Sequence, residues 1–312
     1  MPRLRRPAAR LALLLAIALP ARAQTAADSA AAEPYPVRCG VTHLGHPRGY
    51  EPIPAGDVFC PLVADPKGLR SFVSYLRGDS SDVARDVASV GIADQFGFFR
   101  VNGARPGDGV QLSLAGSVFA QFDLGSSSYD LINADYIVGL PLTLRRGGFS
   151  ARLRVYHQSS HLGDELLLRR EPAERIEREN LSFESAEAIL SQDLGPVRVY
   201  GGGEWLFNRS PASLGHSVAH GGVELRPTAT ARFGDAARAR LVGAEDLKSV
   251  AEQDWRTAVS ARAGFEVGRA RDGSDRGRRW SLLFEFYDGP SPYGQFYARD
   301  VRFTGLGFHF VL

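Results

Sequence analysis

The sequence predicts an all-β protein, namely a transmembrane antiparallel β-barrel of about twelve strands with a short periplasmic N-terminal extension. Three observations lead to this prediction. Segments of about ten or more residues alternate apolar and polar side chains, whereas soluble sheets use strands of about five or six. The connections between the segments alternate between short and long. The tryptophans lie at or near segment ends, as in the aromatic girdles of membrane barrels.

The chain opens with the features of a secretory signal. Four arginines occur in the first ten residues, an apolar run covers residues 11–19, and Ala21-Arg22-Ala23 is a small-x-small cleavage pattern. The run is too short to span a bilayer as a helix, which takes roughly 20 residues. An amphipathic N-terminal helix is the alternative, but the acid-free start disfavours it. We predict a signal peptide over residues 1–23 and export to the bacterial outer membrane.

Residues 24–67 form the predicted periplasmic extension, because they contain several prolines and do not alternate. The extension carries both cysteines of the chain, Cys39 and Cys60, outside any C-x-x-C pattern. In an exported protein, a disulfide between them is the default interpretation. We expect an extension or a short plug closed by this bond.

The barrel is predicted over residues 68–312. Near residues 110–123, for example, Val110 and Leu112 alternate with Gln111 and Ser113, so one face is apolar and the other mostly polar. The same pattern recurs along the chain. It gives strands near 69–77, 88–101, 110–123, 131–144, 149–160, 179–193, 197–207, 214–226, 237–247, 256–268, 278–287 and 297–312.

An even number of strands places both ends of the barrel on the periplasmic side. The short connections at 145–148 and 195–196 are then periplasmic turns, and the longer ones around 124–130, 161–178 and 288–296 are outer loops. The last strand, "RFTGLGFHFVL", resembles the C-terminal signal of bacterial outer-membrane barrels. This resemblance implies the barrel-assembly machinery as a partner.

A soluble β-sandwich is the alternative fold, with apolar faces inside and charged faces in water. Strand length, alternating connections and the tryptophan positions favour the inverse arrangement, with apolar side chains outside and polar ones inside. A closed barrel also leaves no strand edge unpaired in hydrocarbon.

The charge balance argues against nucleic-acid binding. The formal charge of +2 depends on five leader arginines, and without them 32 basic residues stand against 35 acidic ones. No basic run is interleaved with aromatic residues. Arginines instead recur on the predicted inward faces: Arg152, Arg154, Arg198, Arg238, Arg240 and Arg262. These arginines suit an anion-preferring pore. They also suit a lumen that is filled by ion pairs between the arginines and Glu204, Glu224, Glu266 and Glu285. A barrel of about twelve strands favours the filled lumen.

The strand near 149–160 carries the main candidate for chemistry. His157 and Ser159 continue the parity of Leu153 and Val155, so we predict that both face lipid near the outer headgroups. His161 shares this parity at the start of the loop. An imidazole beside a serine can act as a general base for attack on an ester, and the esters at that depth are lipids.

The sequence His157-Gln158-Ser159 resembles the lipid-facing histidine-x-serine pair of outer-membrane phospholipase A and lipid A deacylase barrels. This resemblance implies a Ser159 nucleophile, a His157 base and an orienting asparagine on the adjoining strand, for which Asn180 is the candidate. Two parities are open for that strand, and one of them would place Glu187 in mid-bilayer, an expensive location. We therefore predict the other parity, which turns Asn180, Ser182 and Glu184 outward. The phospholipase pattern continues with Asn-Gly, where this chain has Ser160-His161. The calcium and oxyanion arrangement of that family therefore has no direct counterpart here.

Two acidic residues at the start of the following loop, Asp164 and Glu165, are alternative orienting partners or ligands of Ca²⁺. They also fit a solvated acidic loop that binds cations between lipopolysaccharide phosphates.

Six segments together resemble the bacterial envelope family known as domain of unknown function 1207. They are "CPLVADP", "DQFG", "FAQFDL", "LINADYIVGLPLT", "YHQSSHLGDE" and "VRVYGGGEW". The resemblance implies an envelope protein and assigns no activity.

Three functions therefore compete. The sequence favours a noncatalytic outer-membrane barrel that contacts phospholipid or lipopolysaccharide of the outer leaflet. The alternatives are a lipid hydrolase built on Ser159 and His157, and a small anion-preferring pore. The distance between the Ser159 hydroxyl and His157 is the observation that would best separate them.

Overall fold

The computed structural model describes residues 49–78, 84–105, 107–169, 178, 180–233, 237–269 and 279–311. The signal peptide and Cys39 lie outside these residues. Cleavage after Ala23 and the disulfide between Cys39 and Cys60 therefore stay predictions.

Twelve antiparallel strands close into a barrel, which confirms the predicted fold class. Each strand pairs with the next, and the last pairs with the first through Phe303–Phe310 and Ser71–Gly78. The strands are β2 (Ser71–Gly78), β3 (Asp86–Asn102), β4 (Gly109–Asp123), β5 (Leu131–Arg146), β6 (Phe149–Leu162), β7 (Leu181–Leu194), β8 (Val197–Ser210), β9 (Ser217–Leu225), β11 (Ala237–Val250), β12 (Thr257–Arg269), β13 (Arg279–Pro290) and β14 (Asp300–Val311).

Two short strands extend this sheet at the periplasmic end of the barrel. β1 (Gly49–Pro52) pairs with the last residues of β3, and β10 (Ala231–Phe233) pairs with the first residues of β11. One short helix, α1 (Asp164–Arg169), follows β6, and 3₁₀ turns form at Ala251–Gln253 and Gly294–Phe296. No helix in the described ranges combines the length and the apolar character needed to cross a membrane.

The outer surface of the barrel is apolar because the strands alternate strictly. On β5, Val138, Leu140 and Leu142 are exposed, while the residues between them are buried. Trp205 and Trp255 are also exposed, towards the outer end. A closed barrel with this surface is suited to lipid contact, since pairing continues around the barrel and leaves no strand edge open.

The lumen contains a segment of the chain that precedes β2. We call residues 53–70 the plug, because Val58–Asp65 are almost completely buried inside the barrel. Wall arginines donate hydrogen bonds to its carbonyl oxygens: Arg145 Nε to Val58 at 2.8 Å, Arg198 Nη1 to Cys60 at 3.0 Å and Arg262 Nη1 to Val63 at 2.8 Å. These donors satisfy backbone groups that the plug, lacking a strand partner, leaves unpaired.

Five of the six arginines predicted to face inward are buried and ion-paired, whereas Arg238, at the start of β11, is exposed. Arg152 and Arg154 each contact Glu187 at 2.7 Å. Arg198 contacts Glu224 at 3.4 Å, and Arg262 contacts Glu285 at 3.3 Å. Arg240 likewise pairs with Glu266. Their charges are therefore balanced inside a filled lumen, which does not favour an anion-conducting pore.

The tip of the plug and an outer loop are held by the same carboxylate, Asp135 on β5. Lys67 of the plug pairs with this group, and its ammonium lies 4.3 Å from the centroid of the Tyr293 ring. The backbone N–H of Gly294 donates to Asp135 at 3.2 Å, and the Ser160 hydroxyl donates to it as well. Burial raises the pKa of the Tyr293 phenol, so the ring beside Lys67 stays neutral. The plug, β6 and the loop after β13 thus share one anchor.

Candidate functional site

The outward face of β6 carries the histidine and serine singled out by the sequence. Residues 151, 153, 155, 157 and 159 are exposed or half-exposed, while residues 152, 154, 156, 158 and 160 are buried. His157 and Ser159 therefore lie on the outward face of the barrel wall, which in a membrane barrel is the face that contacts lipid. Because β6 rises from the periplasmic turn at Gly147–Gly148, both residues lie near its outer end.

The adjoining strand places a carboxylate against the histidine. Glu184 on β7 is the register partner of His157, and its Oε1 lies 3.1 Å from His157 Nδ1. On β7 the even-numbered residues from Ser182 to Leu190 face outward, whereas Glu187 is buried in the lumen. An acid bonded to Nδ1 fixes the orientation of the ring and directs Nε2 away from the acid.

The sequence predicts that Asn180 orients His157, but the observed register places Glu184 opposite His157. Ser160 pairs with Leu181, so Asn180 precedes β7 and lies beyond the level of His157 towards the outer loop. The exposed Asn180 is four positions before Glu184. The parity expected for β7 holds, but the pairing brings Glu184 to His157. Sequence reasoning placed Glu184 on the outward face without giving it this role.

Ser159 completes the arrangement along the same face. Its register partners are Tyr136 on β5 and Ser182 on β7. Within the ranges that the structure describes, no hydrogen bond joins the Ser159 hydroxyl to His157. Such bonds are often long in ligand-free sites and tighten when substrate binds. The residues have the order acid, base and nucleophile along the outward face, and in this structure the base and the nucleophile are not hydrogen-bonded to each other.

These residues form a polar patch on an otherwise apolar surface. We call it the outer-rim patch, and its members are Tyr136, His157, Ser159, His161, Ser182 and Glu184. His161 packs edge-on against Tyr136, with ring centroids 5.6 Å apart. Below the patch the outward residues are apolar, Leu140 and Val155 among them. The patch thus borders the region where acyl chains would lie.

Asp164 and Glu165 are both exposed in the first turn of α1, beyond the end of β6. Calcium takes about six to eight oxygen ligands, so two carboxylates would supply only part of a site. Their role as Ca²⁺ ligands stays a prediction.

A different group of potential metal ligands lies inside the barrel. Asp65 of the plug, His220 of β9 and Asp246 of β11 place one ligand atom each within 4.8 Å of one another, and no other such trio occurs among the residues described. His220 Nε2 lies 2.7 Å from Asp246 Oδ2, which also accepts from the Tyr200 hydroxyl at 2.6 Å. These bonds, with Lys248 nearby, explain the cluster as part of the lumen network.

Fold and surface together define a class: the protein is an outer-membrane-type β-barrel with an occupied lumen and a polar patch on its lipid-facing side. The chain belongs to the DUF1207 family, described as a protein of unknown function, whose model matches residues 21–312. A search of curated proteins finds no match.

Two solved structures are similar in fold. Outer membrane phospholipase A from Escherichia coli is 13% identical, with a TM-score of 0.50, over 78% of this chain and 90% of that chain. The outer membrane phospholipase dimer of Salmonella typhi with bound calcium is 12% identical, with a TM-score of 0.48, over 79% of this chain and 94% of that one. At these identities the likeness shows the fold alone.

Proposed function

We propose that the protein is a lipid hydrolase of the bacterial outer membrane that cleaves ester-linked acyl chains of outer-leaflet lipids, either phospholipid or lipid A. Ser159 is the nucleophile, His157 the general base and Glu184 the orienting acid. The observation that carries the proposal is the contact of 3.1 Å between His157 Nδ1 and Glu184 Oε1 on the lipid-facing surface. The occupied lumen makes a pore the weaker alternative.

The proposed reaction proceeds in two steps. The Ser159 hydroxyl transfers its proton to His157 Nε2 while its oxygen attacks the ester carbonyl carbon. Collapse of the tetrahedral intermediate expels the lipid alcohol, which takes the proton from His157 and leaves an acyl-serine. Water, deprotonated by His157, then attacks the acyl-serine carbonyl; the bond to the Ser159 oxygen breaks, the fatty acid leaves, and the His157 imidazolium returns its proton to Ser159. The Glu184 carboxylate stabilises the imidazolium that forms in each step.

Polar neighbours on the same face support the developing negative charge. Backbone N–H groups of β6 and β7 are committed to the sheet, so the oxyanion needs a side-chain donor. Ser182 lies directly opposite Ser159, and opposed residues on one face place their Cβ atoms about 4.5–5.5 Å apart. We assign the Ser182 hydroxyl to this role.

The experiment measures fatty acid release by purified protein in mixed micelles, with phospholipid and lipid A in separate reactions, with and without calcium. Ser159→Ala should lower the rate by several orders of magnitude, because removing a nucleophile disables the whole catalytic unit. Ser213→Ala is the matched control, since Ser213 is exposed in the outer turn between β8 and β9. Its activity should equal that of the wild type.

Folding of each variant is checked by the change in gel mobility on boiling. If wild type and Ser159→Ala are equally inactive on every lipid while both are folded, the pair is a lipid-headgroup contact. The protein is then a noncatalytic envelope barrel.

A further inference from the structure

The outer end of the lumen, which is more apolar than the deeper interior, contains a cavity. Its volume is about 460 Å³, and it lies between the upper ends of β2 to β5 and the chain from Ser291 to Phe303. Its walls are largely apolar, formed by Leu76, Val87, Ile132, Phe296 and Phe303. Deeper in the barrel, the inward residues are mostly arginines, acids and serines. The cavity thus belongs to an apolar layer at the outer end of the lumen, which also includes Phe119, Phe183 and Leu206.

The size of the cavity suits a ligand. Small-molecule sites generally occupy roughly 300–1,000 Å³ and are mainly apolar, with a few polar groups that fix orientation. A second cavity near the plug tip is only about 150 Å³. Two cations on its lining, Lys67 and Lys248, are paired with Asp135 and Glu204. Only the larger cavity combines sufficient volume with an apolar interior.

One cation at the rim is not neutralised. Arg299 is exposed, its guanidinium lies 5.6 Å from the Phe296 ring centroid, and it forms no ion pair with any residue in the described ranges. The other charged residues on the rim are balanced, because Asp300 pairs with Arg256, and Arg302 contacts Asp288 at 2.7 Å. Among the described residues that line the cavity, Arg299 is thus the charged side chain without an ion pair, and it lies beside the apolar interior.

We infer that this cavity binds a single-chain amphiphile with an anionic head group, of the fatty-acid type. The acyl chain occupies the apolar cavity, and the carboxylate accepts two hydrogen bonds from the Arg299 guanidinium. One apolar chain matches the interior, and one negative charge matches the rim. The site lies inside the barrel, is distinct from the outer-rim patch, and does not depend on the proposed hydrolysis.

Binding is tested by calorimetry on full-length mature protein in lipid nanodiscs, with laurate as the probe and empty nanodiscs as the blank. Laurate contains no ester, so the measurement is independent of hydrolase activity. Wild type should bind laurate saturably, and dodecyltrimethylammonium, with the same chain and opposite charge, should not bind saturably. Arg299→Gln should weaken laurate binding by roughly tenfold, through loss of a charge-assisted hydrogen-bonded pair.

Two further variants separate the cavity from the surface. Val87→Trp places an indole in the cavity and should abolish saturable binding, with Gln121→Trp as a second filling variant if Val87→Trp does not fold. Arg232→Gln, an exposed arginine on β10, is the control and should bind like wild type. The inference is overturned if wild type shows no saturable binding. It is equally overturned if a folded filling variant binds laurate unchanged, or if the cationic probe binds as tightly as laurate.

Discussion

At the residue scale, the functional question depends on which group orients His157. Glu184 Oε1 is 3.1 Å from Nδ1, and no described residue donates a hydrogen bond to Glu184 Oε2. The carboxylate therefore has His157 as its observed partner, as expected of an acid whose task is to orient a base. Asn180 directly precedes Leu181, the first residue of β7.

We predict that Glu184→Gln lowers fatty acid release on the order of 10²-fold, because an amide loses the charge that stabilises the imidazolium. Asn180→Ala should remain within about twofold of wild type, since it contacts neither partner in the observed register. Initial rates of the two folded variants provide the comparison. If Asn180→Ala is strongly impaired while Glu184→Gln stays active, Asn180 and not Glu184 orients His157.

At the element scale, β6 has one lipid-facing side along its whole length. Leu153 is 51% exposed in the middle of the strand, and Phe149 is 38% exposed at its periplasmic end. The two residues share a parity and differ in depth.

We predict that Leu153→Arg lowers the free energy of unfolding by about 2–4 kcal/mol, because a charge there lies in hydrocarbon, whereas Phe149→Arg should cost about 0–1 kcal/mol near the interface. Denaturant titration in lipid vesicles measures both. Equal costs for the two variants would mean that this face of β6 is not in contact with lipid.

The plug is a second element with a testable energy. Arg198 is fully buried and bonds the Cys60 carbonyl, Ser191 and Glu224. Arg198→Ala should cost about 3 kcal/mol, since it removes the donor to the buried Cys60 carbonyl and one of the two arginines paired with Glu224. Arg302→Ala removes one partner of an exposed pair and should cost at most about 1 kcal/mol. The temperature at which gel mobility changes should therefore fall for Arg198→Ala only. Similar transition temperatures for Arg198→Ala and Arg302→Ala would contradict the described contacts of the plug.

At the scale of the whole molecule, the barrel is closed at its seam and filled at its centre. The pairing of β14 with β2 leaves no free edge between them, and the plug occupies the lumen with its charges paired. Closure of the sheet explains how the barrel is stable in hydrocarbon. The plug in the lumen explains why the described residues form no obvious channel.

We predict that the mature protein fractionates with the outer membrane and that its gel mobility changes on boiling, as expected of a stable barrel. In planar bilayers it should show no steady open-channel conductance, because the plug blocks the lumen. Recovery in the soluble periplasmic fraction would contradict the membrane assignment. A stable conductance at low voltage would restore the pore interpretation.

The sequence by itself determined the number of strands, their approximate bounds and the outward direction of His157 and Ser159. These properties are local, since alternation with a period of two places neighbouring residues on opposite faces whatever the partner strand is. For β7 alternation left two parities open, and the cost of a charge in mid-bilayer selected the one that turns Glu184 outward and Glu187 inward, which agrees with the structure.

Only the tertiary structure decided which residues meet. The long connection between β6 and β7 does not specify their register. A shift of four residues in that register decides whether Asn180 or Glu184 lies opposite His157, and the structure places Glu184 there. The sequence of the plug has no apolar–polar periodicity, so its place in the lumen could not be predicted from the sequence. That place is set by hydrogen bonds from arginines on strands far apart in sequence. Asp135 joins Lys67 to Gly294 across distant parts of the chain for the same reason: barrel closure alone brings those residues together.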